Sequence, residues 1–320
     1  MKPISIGKLR SLQQCTSPRG TFTCLALDHR QNLRRALNPA DPTSVSDEKL
    51  SRFKLDVTAN LGELATAILL DPEFSAAQAV AAGALPGQVG LVVAVESTGY
   101  GGSPTARQSQ VLPEWSVEKA KRMGASMIKL LVYYHPNSPT AHEIENFVRQ
   151  VADECAQFDL GLMLEPLSYS LDANKKLSSA EKRHVVIETA RRLVITGVDV
   201  LKAEFPLDIS EDAIETNWIS ACAEISAASP APWIVLSAAV NYETYLRQVE
   251  IACQAGASGC AVGRAVWQEA VAMDGQARAA FLATTGRERL SRLNALCSEF
   301  GKHISDFYTA EAPFGWYQTY

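Results

Sequence analysis

Short apolar runs, many of them rich in β-branched residues, alternate along the chain with longer stretches in which apolar residues recur at helical spacing. This alternation is typical of strand-helix units around a parallel sheet. Eight predicted strands lie at 22–28, 67–71, 90–96, 127–132, 160–165, 198–203, 233–237 and 258–262. The clearest predicted helices lie at 47–63, 116–123, 142–157, 179–196 and 242–255.

The number of predicted strands decides between two α/β architectures. Eight strands alternating with helices over 320 residues predict a closed (β/α)8 TIM barrel, since an open doubly wound sheet usually has about five or six strands. No Gly-rich or Pro-rich linker divides the chain, and the polar stretches at 38–46 and 169–176 are predicted loops. We expect a single barrel domain over 1–320, with 274–320 as a C-terminal helical extension packed outside the barrel.

Composition narrows the class of partner. The net charge of -5 gives no broad basic field, which argues against nucleic acid or an anionic membrane as partner and favours a small molecule. The seven cysteines are odd in number and form no CxxC pair, which indicates reduced, buried thiols. No apolar run reaches the length of a signal peptide or a membrane helix. We expect a cytoplasmic protein and, from the fold class, a homo-oligomer.

Lys202 is the first candidate for chemistry, because it lies near the end of a predicted strand whose neighbours are almost all apolar. An ammonium group in such surroundings loses hydration, which favours the uncharged amine that attacks a carbonyl and forms a Schiff base. The alternative is a lysine that extends to water or pairs with Glu204.

Period-two alternation along three consecutive predicted strands brings further polar groups to the same end of the barrel. Lys129, Glu165 and Lys202 would all face inwards there, and Glu165 could transfer protons during carbonyl chemistry. Lys129 could instead form a structural ion pair, and Glu165 could be a carboxylate at the rim. Pro166, directly after Glu165, is taken to mark the end of the fifth strand.

A candidate phosphate site follows strands seven and eight, where barrels of this kind commonly bind phosphate through backbone N–H groups and a helix N-terminus. Ser237 and Gly263 lie at these positions, and Arg264 could add a bidentate contact. The alternative is a turn whose arginine packs on the surface. The five histidines show no HxH or HxxxH spacing, so a zinc-dependent enzyme is the weaker prediction and no metal cofactor is expected.

Several longer segments, taken together, resemble one enzyme family. They are LALDHR at 25–30, ILLDPEF at 68–74, ESTGY at 96–100, EWSV at 114–117, KLLVYY at 129–134, DVLKAE at 199–204 and GRAVW at 263–267. From about residue 21 to about residue 300 the chain resembles the tagatose 1,6-bisphosphate aldolase family, which also contains the bacterial sulfofructose-phosphate aldolases.

The resemblance implies a metal-independent barrel enzyme that uses a covalent lysine imine and no other cofactor. It implies that Lys202 is the Schiff-base lysine, Glu165 the acid and base, and Lys129 a supporting cation. The substrate-binding residues that we expect are Asp28, Arg30 and Asp71 at the ends of the first two strands, and Ser237, Gly263 and Arg264 at the phosphate of the dihydroxyacetone half.

Two departures from the family pattern concern the site, and the substrate stays open because some segments look more like the tagatose-bisphosphate members and others more like the sulfosugar members. The family usually has glycine where this chain has Ala239, and many members have glutamine where it has His29; the imidazole could add a titrating group or merely fill space. We expect cleavage of tagatose 1,6-bisphosphate to dihydroxyacetone phosphate and glyceraldehyde 3-phosphate, or of sulfofructose phosphate to dihydroxyacetone phosphate and sulfolactaldehyde. The rivals are a phosphosugar isomerase or decarboxylase and a non-catalytic, sugar-phosphate-binding regulatory protein.

Overall fold

A closed barrel of eight parallel strands forms the centre of the computed structural model, which describes residues 1–238 and 240–320, with only the backbone of Thr196. The barrel strands are β1 Phe22–Ala26, β2 Ala67–Leu70, β3 Gly90–Ala94, β4 Met127–Tyr134, β5 Gly161–Ser168, β6 Val200–Ala203, β7 Trp233–Leu236 and β8 Gly259–Val262. Each strand pairs with the next, and β8 pairs with β1. The predicted (β/α)8 barrel is therefore confirmed.

Helices cover the outside of the barrel, so its strands are buried on both faces and are apolar almost throughout. The helices are α1 Ile6–Gln14, α2 Gln31–Leu37, α3 Asp47–Leu61, α4 Ala76–Ala81, α5 Val117–Met123, α6 Ala141–Gln157, α7 Ser179–Leu193, α8 Glu215–Ala228, α9 Tyr242–Gln254, α10 Arg264–Trp267, α11 Gly275–Phe281 and α12 Arg287–Phe300. Serine N-caps begin α3, α5 and α7 by accepting a backbone N–H bond. No described helix is long and apolar enough to cross a bilayer.

Helix α1, which the sequence analysis did not predict, closes the N-terminal end of the barrel. The Nζ of Lys8 lies 2.7 Å from Oδ2 of Asp199, just before β6. Ser11 Oγ accepts a bond of 2.8 Å from the N–H of Gly161 and donates to the carbonyl of Ser126. Because α1 occupies this end, the open mouth of the barrel is formed by the carboxyl ends of the strands.

The end of the fifth strand differs from the prediction. Strand β5 continues through Pro166 to Ser168, so the proline does not end it. The strand tolerates proline because its pairing with β6 is confined to Met163 and Leu164.

The C-terminal segment is not helical throughout. Tyr308–Thr309 pairs with Lys2–Pro3 as a short parallel ladder, and α12 packs directly against β1, β8 and α9. Helix α12 thus covers the barrel wall where the eighth strand meets the first.

Candidate active site

A cavity of about 660 Å³ opens at the carboxyl ends of the barrel strands. It collects eight of the nine predicted site residues, which come from six strands or the loops that follow them. These are Asp28, Arg30, Lys129, Glu165, Lys202, Ser237, Gly263 and Arg264.

Lys202 and Glu165 form a buried pair in the cavity wall. The Nζ of Lys202 lies 2.8 Å from Oε2 of Glu165, and the two residues are only 4% and 8% exposed. The same carboxylate oxygen lies 3.1 Å from Nζ of Lys129. One carboxylate oxygen therefore lies between two amines and can accept a proton from Lys202 without large movement.

Lys129 is surrounded by carboxylates. Its Nζ lies 2.8 Å from Oδ2 of Asp28 and 2.6 Å from Oε1 of Glu96, in addition to the contact with Glu165. The second oxygen of Glu96 accepts a 3.1 Å bond from the N–H of Leu131. Glu96 was not among the predicted site residues, although its position at the carboxyl end of the third predicted strand was a signal for it.

The charges of this cluster decide its protonation. Burial would raise the pKa of Asp28 and Glu165, but the charges of Lys129 and Lys202 outweigh it and lower both pKa values. For Glu96 burial dominates and raises the pKa. Burial would lower the pKa of Lys129, but the three carboxylates outweigh it and raise that pKa well above its usual value. Lys129 is therefore a fixed cation, and Glu165 is held as the carboxylate beside Lys202.

The predicted phosphate residues lie together at the carboxyl ends of β7 and β8. Gly263 N–H reaches Ser237 Oγ only at 3.5 Å, so it is weakly engaged. Burial lowers the pKa of the half-buried Arg264 guanidinium, which has no carboxylate within ion-pair distance among the described residues. A cation without a counter-charge, beside a backbone donor, suits an anionic group. Ala239, the departure noted above, lies outside the described residues.

Arg30 lines the cavity but is already engaged. Its guanidinium donates to the carbonyl of Glu96 at 3.0 Å and to Thr98 Oγ1 at 3.1 Å, and it lies 2.7 Å from Glu73 Oε2. It therefore holds the loop after β3 against the loop after β2.

Asp71 is the one predicted site residue that does not line the cavity. It follows the end of β2 and is fully buried, paired with Lys54 of α3. It also accepts bonds from Ser75 Oγ at 2.6 Å and from the N–H of Phe74 at 2.8 Å. Asp71 joins the barrel to an outer helix.

Lys54→Met is expected to lower the free energy of unfolding by about 3 kcal/mol, because the Asp71 carboxylate would stay buried without a counter-charge. Urea unfolding followed by circular dichroism measures the change. The double variant Lys54→Met/Asp71→Asn removes both charges and should recover most of the loss. A single variant as stable as the parent would show that the pair is dispensable.

Two tyrosines complete the mouth of the cavity and were not predicted. Tyr100 and Tyr133 line it with their rings 5.0 Å apart. The guanidinium of Arg107 lies 4.4 and 5.2 Å from the two ring centroids and 4.5 Å from that of Tyr169. No sequence pattern indicates these contacts, because Arg107 belongs to a short hairpin after β3, whereas Tyr133 lies near the end of β4 and Tyr169 follows β5.

Among the described residues, no group of three or more His, Cys, Asp or Glu side chains is arranged to hold a metal ion.

Comparison with known proteins links this chain to one family. The profile described as "DeoC/LacD family aldolase" matches residues 22–269. Tagatose 1,6-diphosphate aldolase 2 of Enterococcus faecalis is 32% identical, over 92% of this chain and 94% of that protein. The tagatose 1,6-diphosphate aldolase of Staphylococcus haemolyticus is 30% identical, over 90% of this chain and 94% of that protein.

Solved structures share the fold at lower identity. An archaeal fructose 1,6-bisphosphate aldolase superposes with a TM-score of 0.61 at 21% identity, over 91% of this chain and 99% of that one. Another structure of an archaeal fructose-1,6-bisphosphate aldolase, with its catalytic lysine covalently bound to the carbinolamine intermediate, gives a TM-score of 0.59 at 22% identity, over 90% of this chain and 99% of that one.

Proposed function

The chain belongs to the DeoC/LacD family of aldolases, and we propose that it cleaves a phosphorylated ketose with Lys202 as the Schiff-base nucleophile. The observation that carries the proposal is the buried amine of Lys202, 2.8 Å from the Glu165 carboxylate at the mouth of the barrel. A neighbouring base is what a lysine needs in order to become a nucleophile.

The first half of the reaction forms the imine. Lys202 gives a proton to Glu165, and the free amine attacks the C2 carbonyl of the ketose. The carbonyl oxygen takes up a proton to give a carbinolamine, which loses water and leaves a protonated imine. Lys129 remains charged throughout and stabilises the carboxylates around it. It also keeps Glu165 in place while the proton moves.

The second half breaks the carbon skeleton. A base removes the proton of the C4 hydroxyl, the C3–C4 bond breaks, and its electrons move to the imine nitrogen as the aldehyde leaves. The resulting enamine takes a proton at C3, for which Glu165 is the proposed donor. Water then hydrolyses the imine, which releases dihydroxyacetone phosphate and restores Lys202.

The phosphate of the dihydroxyacetone half is assigned to Ser237, Gly263 and Arg264. Binding energy at this group, remote from the bond that breaks, places C2 against the lysine. The guanidinium of Arg264, which has no carboxylate partner among the described residues, supports this assignment, because a dianion would supply its counter-charge.

Tagatose 1,6-bisphosphate is the proposed substrate, on the basis of the relatives that carry this name at 30–32% identity over at least 90% of the chain. The test ranks kcat/KM for tagatose 1,6-bisphosphate, fructose 1,6-bisphosphate, fructose 1-phosphate and sulfofructose phosphate. We expect tagatose 1,6-bisphosphate to rank first. A first rank for sulfofructose phosphate would reassign the substrate, and binding without any cleavage would favour a regulatory protein.

Arg264→Met is expected to raise KM for the preferred ketose phosphate by about 10- to 100-fold, because a charge-assisted hydrogen bond to phosphate is lost. Steady-state kinetics measure the change. Arg183→Met, which removes an arginine paired with Glu224 on the outer helices, is the matched control and should leave KM unaltered. An unaltered KM in Arg264→Met would place the phosphate elsewhere.

A further inference from the structure

His29 follows β1 and lies beside the loop proposed to bind phosphate. Its ring lines the cavity and meets Trp267 edge-on, with ring centroids 5.4 Å apart. A Cβ added to Gly263 would lie 3.0 Å from Cε1 and 3.7 Å from Nε2 of His29. The Cε1–Nε2 edge of the imidazole therefore faces the backbone of Gly263.

The two ring nitrogens of His29 differ in their surroundings. Nδ1 is sealed from solvent and has no hydrogen-bond partner among the described residues, whereas the ring as a whole is partly open to the cavity. A buried N–H without an acceptor is rarer in proteins than a buried acceptor without a donor. The proton of the neutral ring is therefore assigned to Nε2.

The charges that face His29 also favour the neutral ring. Burial has the largest effect and lowers the pKa of His29, whereas the carboxylate of Asp28 raises it. The cations of Arg264, Lys202 and Lys54 also lower it, and the resulting pKa is about 4. An imidazolium would, in addition, place a second N–H at the sealed Nδ1. His29 thus presents one fixed N–H donor at neutral pH.

We propose that His29 is a further substrate-binding residue, whose Nε2–H donates to the phosphate held at Gly263 and Arg264. The inference rests on the proposed function only for the identity of the anion as a ketose 1-phosphate. An N–H aimed at an anion forms a charge-assisted bond. A neutral donor is suited to this site, because it adds a hydrogen bond without adding another cation beside Lys202.

The protonation state can be tested without turnover. In enzyme labelled with 15N-histidine, His29→Gln identifies the resonances of His29 among the five histidines. At pH 7 we expect a neutral ring with its proton on Nε2, and we expect inorganic phosphate to shift that N–H. An imidazolium, a proton on Nδ1, or no response to phosphate would overturn the proposal. Because no cleavage is needed, this result is separable from failure of the aldolase assignment.

Binding of glycerol 3-phosphate, which carries a phosphate but no carbonyl, separates hydrogen bonding from packing. His29→Phe fills the space against Trp267 without an N–H and should weaken binding by about 10- to 100-fold. His29→Gln keeps an N–H donor and should lose clearly less. A residue that only packs would give the reverse order, which would refute the donor role. His142→Gln, at an exposed histidine paired with Glu145, is the control.

Discussion

Lys202→Met is expected to lower kcat/KM for the preferred ketose phosphate by at least about 10⁴-fold, because the imine cannot form without a primary amine at this position. Lys129 cannot replace it, since three carboxylates hold its Nζ and raise its pKa well above the usual value. The barrel should stay folded, because Glu165 keeps its contact of 3.1 Å with Lys129. Kinetics and thermal unfolding measure the two effects separately.

Borohydride reduction provides the direct readout for Lys202. With dihydroxyacetone phosphate present, the parent enzyme should gain one reduced adduct on the peptide that contains Lys202, detected by mass spectrometry, and Lys202→Met should gain none. Lys202→Arg keeps a cation beside Glu165 but forms no imine, so it should be as inactive as Lys202→Met. An active Lys202→Met, or an unmodified Lys202 in an active preparation, would exclude the Schiff-base mechanism and favour an isomerase or decarboxylase.

The centre of the site was predictable because alternation along a strand is local. The period-two alternation of side chains along a strand predicted inward-facing positions for Lys129, Glu165 and Lys202. The structure brings all three into one hydrogen-bonded cluster. Because the strands are parallel, their carboxyl ends meet at one mouth of the barrel. The position of each residue along its strand thus determined whether its side chain reaches the cavity at that mouth.

Asp71 shows where this reasoning ends. Like Asp28, it follows an apolar strand, and nothing in its own segment distinguishes the two. Its partner Lys54 belongs to a preceding helix, so its burial depends on how α3 packs, which strand periodicity does not describe. The role of α1 was unpredictable for a similar reason, because Lys8 and Asp199 pair across 191 positions of sequence.

The charged groups of the cavity differ in whether they are paired, and this difference bears on the reaction. Lys129 and Lys202 are neutralised by Asp28, Glu96 and Glu165. Arg264 has no such partner among the described residues. One phosphate of the substrate is therefore attracted to Arg264, and the carbonyl is left to the cluster that contains Lys202. Binding of that phosphate orients the ketose before any bond forms.

Lys129→Met is expected to lower the free energy of unfolding by about 3–5 kcal/mol and kcat/KM by at least about 10³-fold. Without Lys129, three carboxylates crowd one buried site and lose the cation that contacts all of them. The pKa of Glu165, which Lys129 helps to lower against burial, should rise. The acidic limb of kcat/KM should then move to higher pH. Urea unfolding and pH–rate profiles measure both changes.

Glu96 offers the matched control for Lys129. Glu96→Gln in the Lys129→Met background removes one of the three crowded carboxylates, so it should recover part of the stability. It should not restore catalysis, because Glu165 would still lack the cation that holds it ionised at 3.1 Å. Recovery of stability without activity would separate the contribution of Lys129 to stability from its electrostatic effect on Glu165. A Lys129→Met variant as stable and as active as the parent would show that the carboxylate cluster tolerates loss of its central cation and that Lys129 is not needed to hold Glu165 ionised.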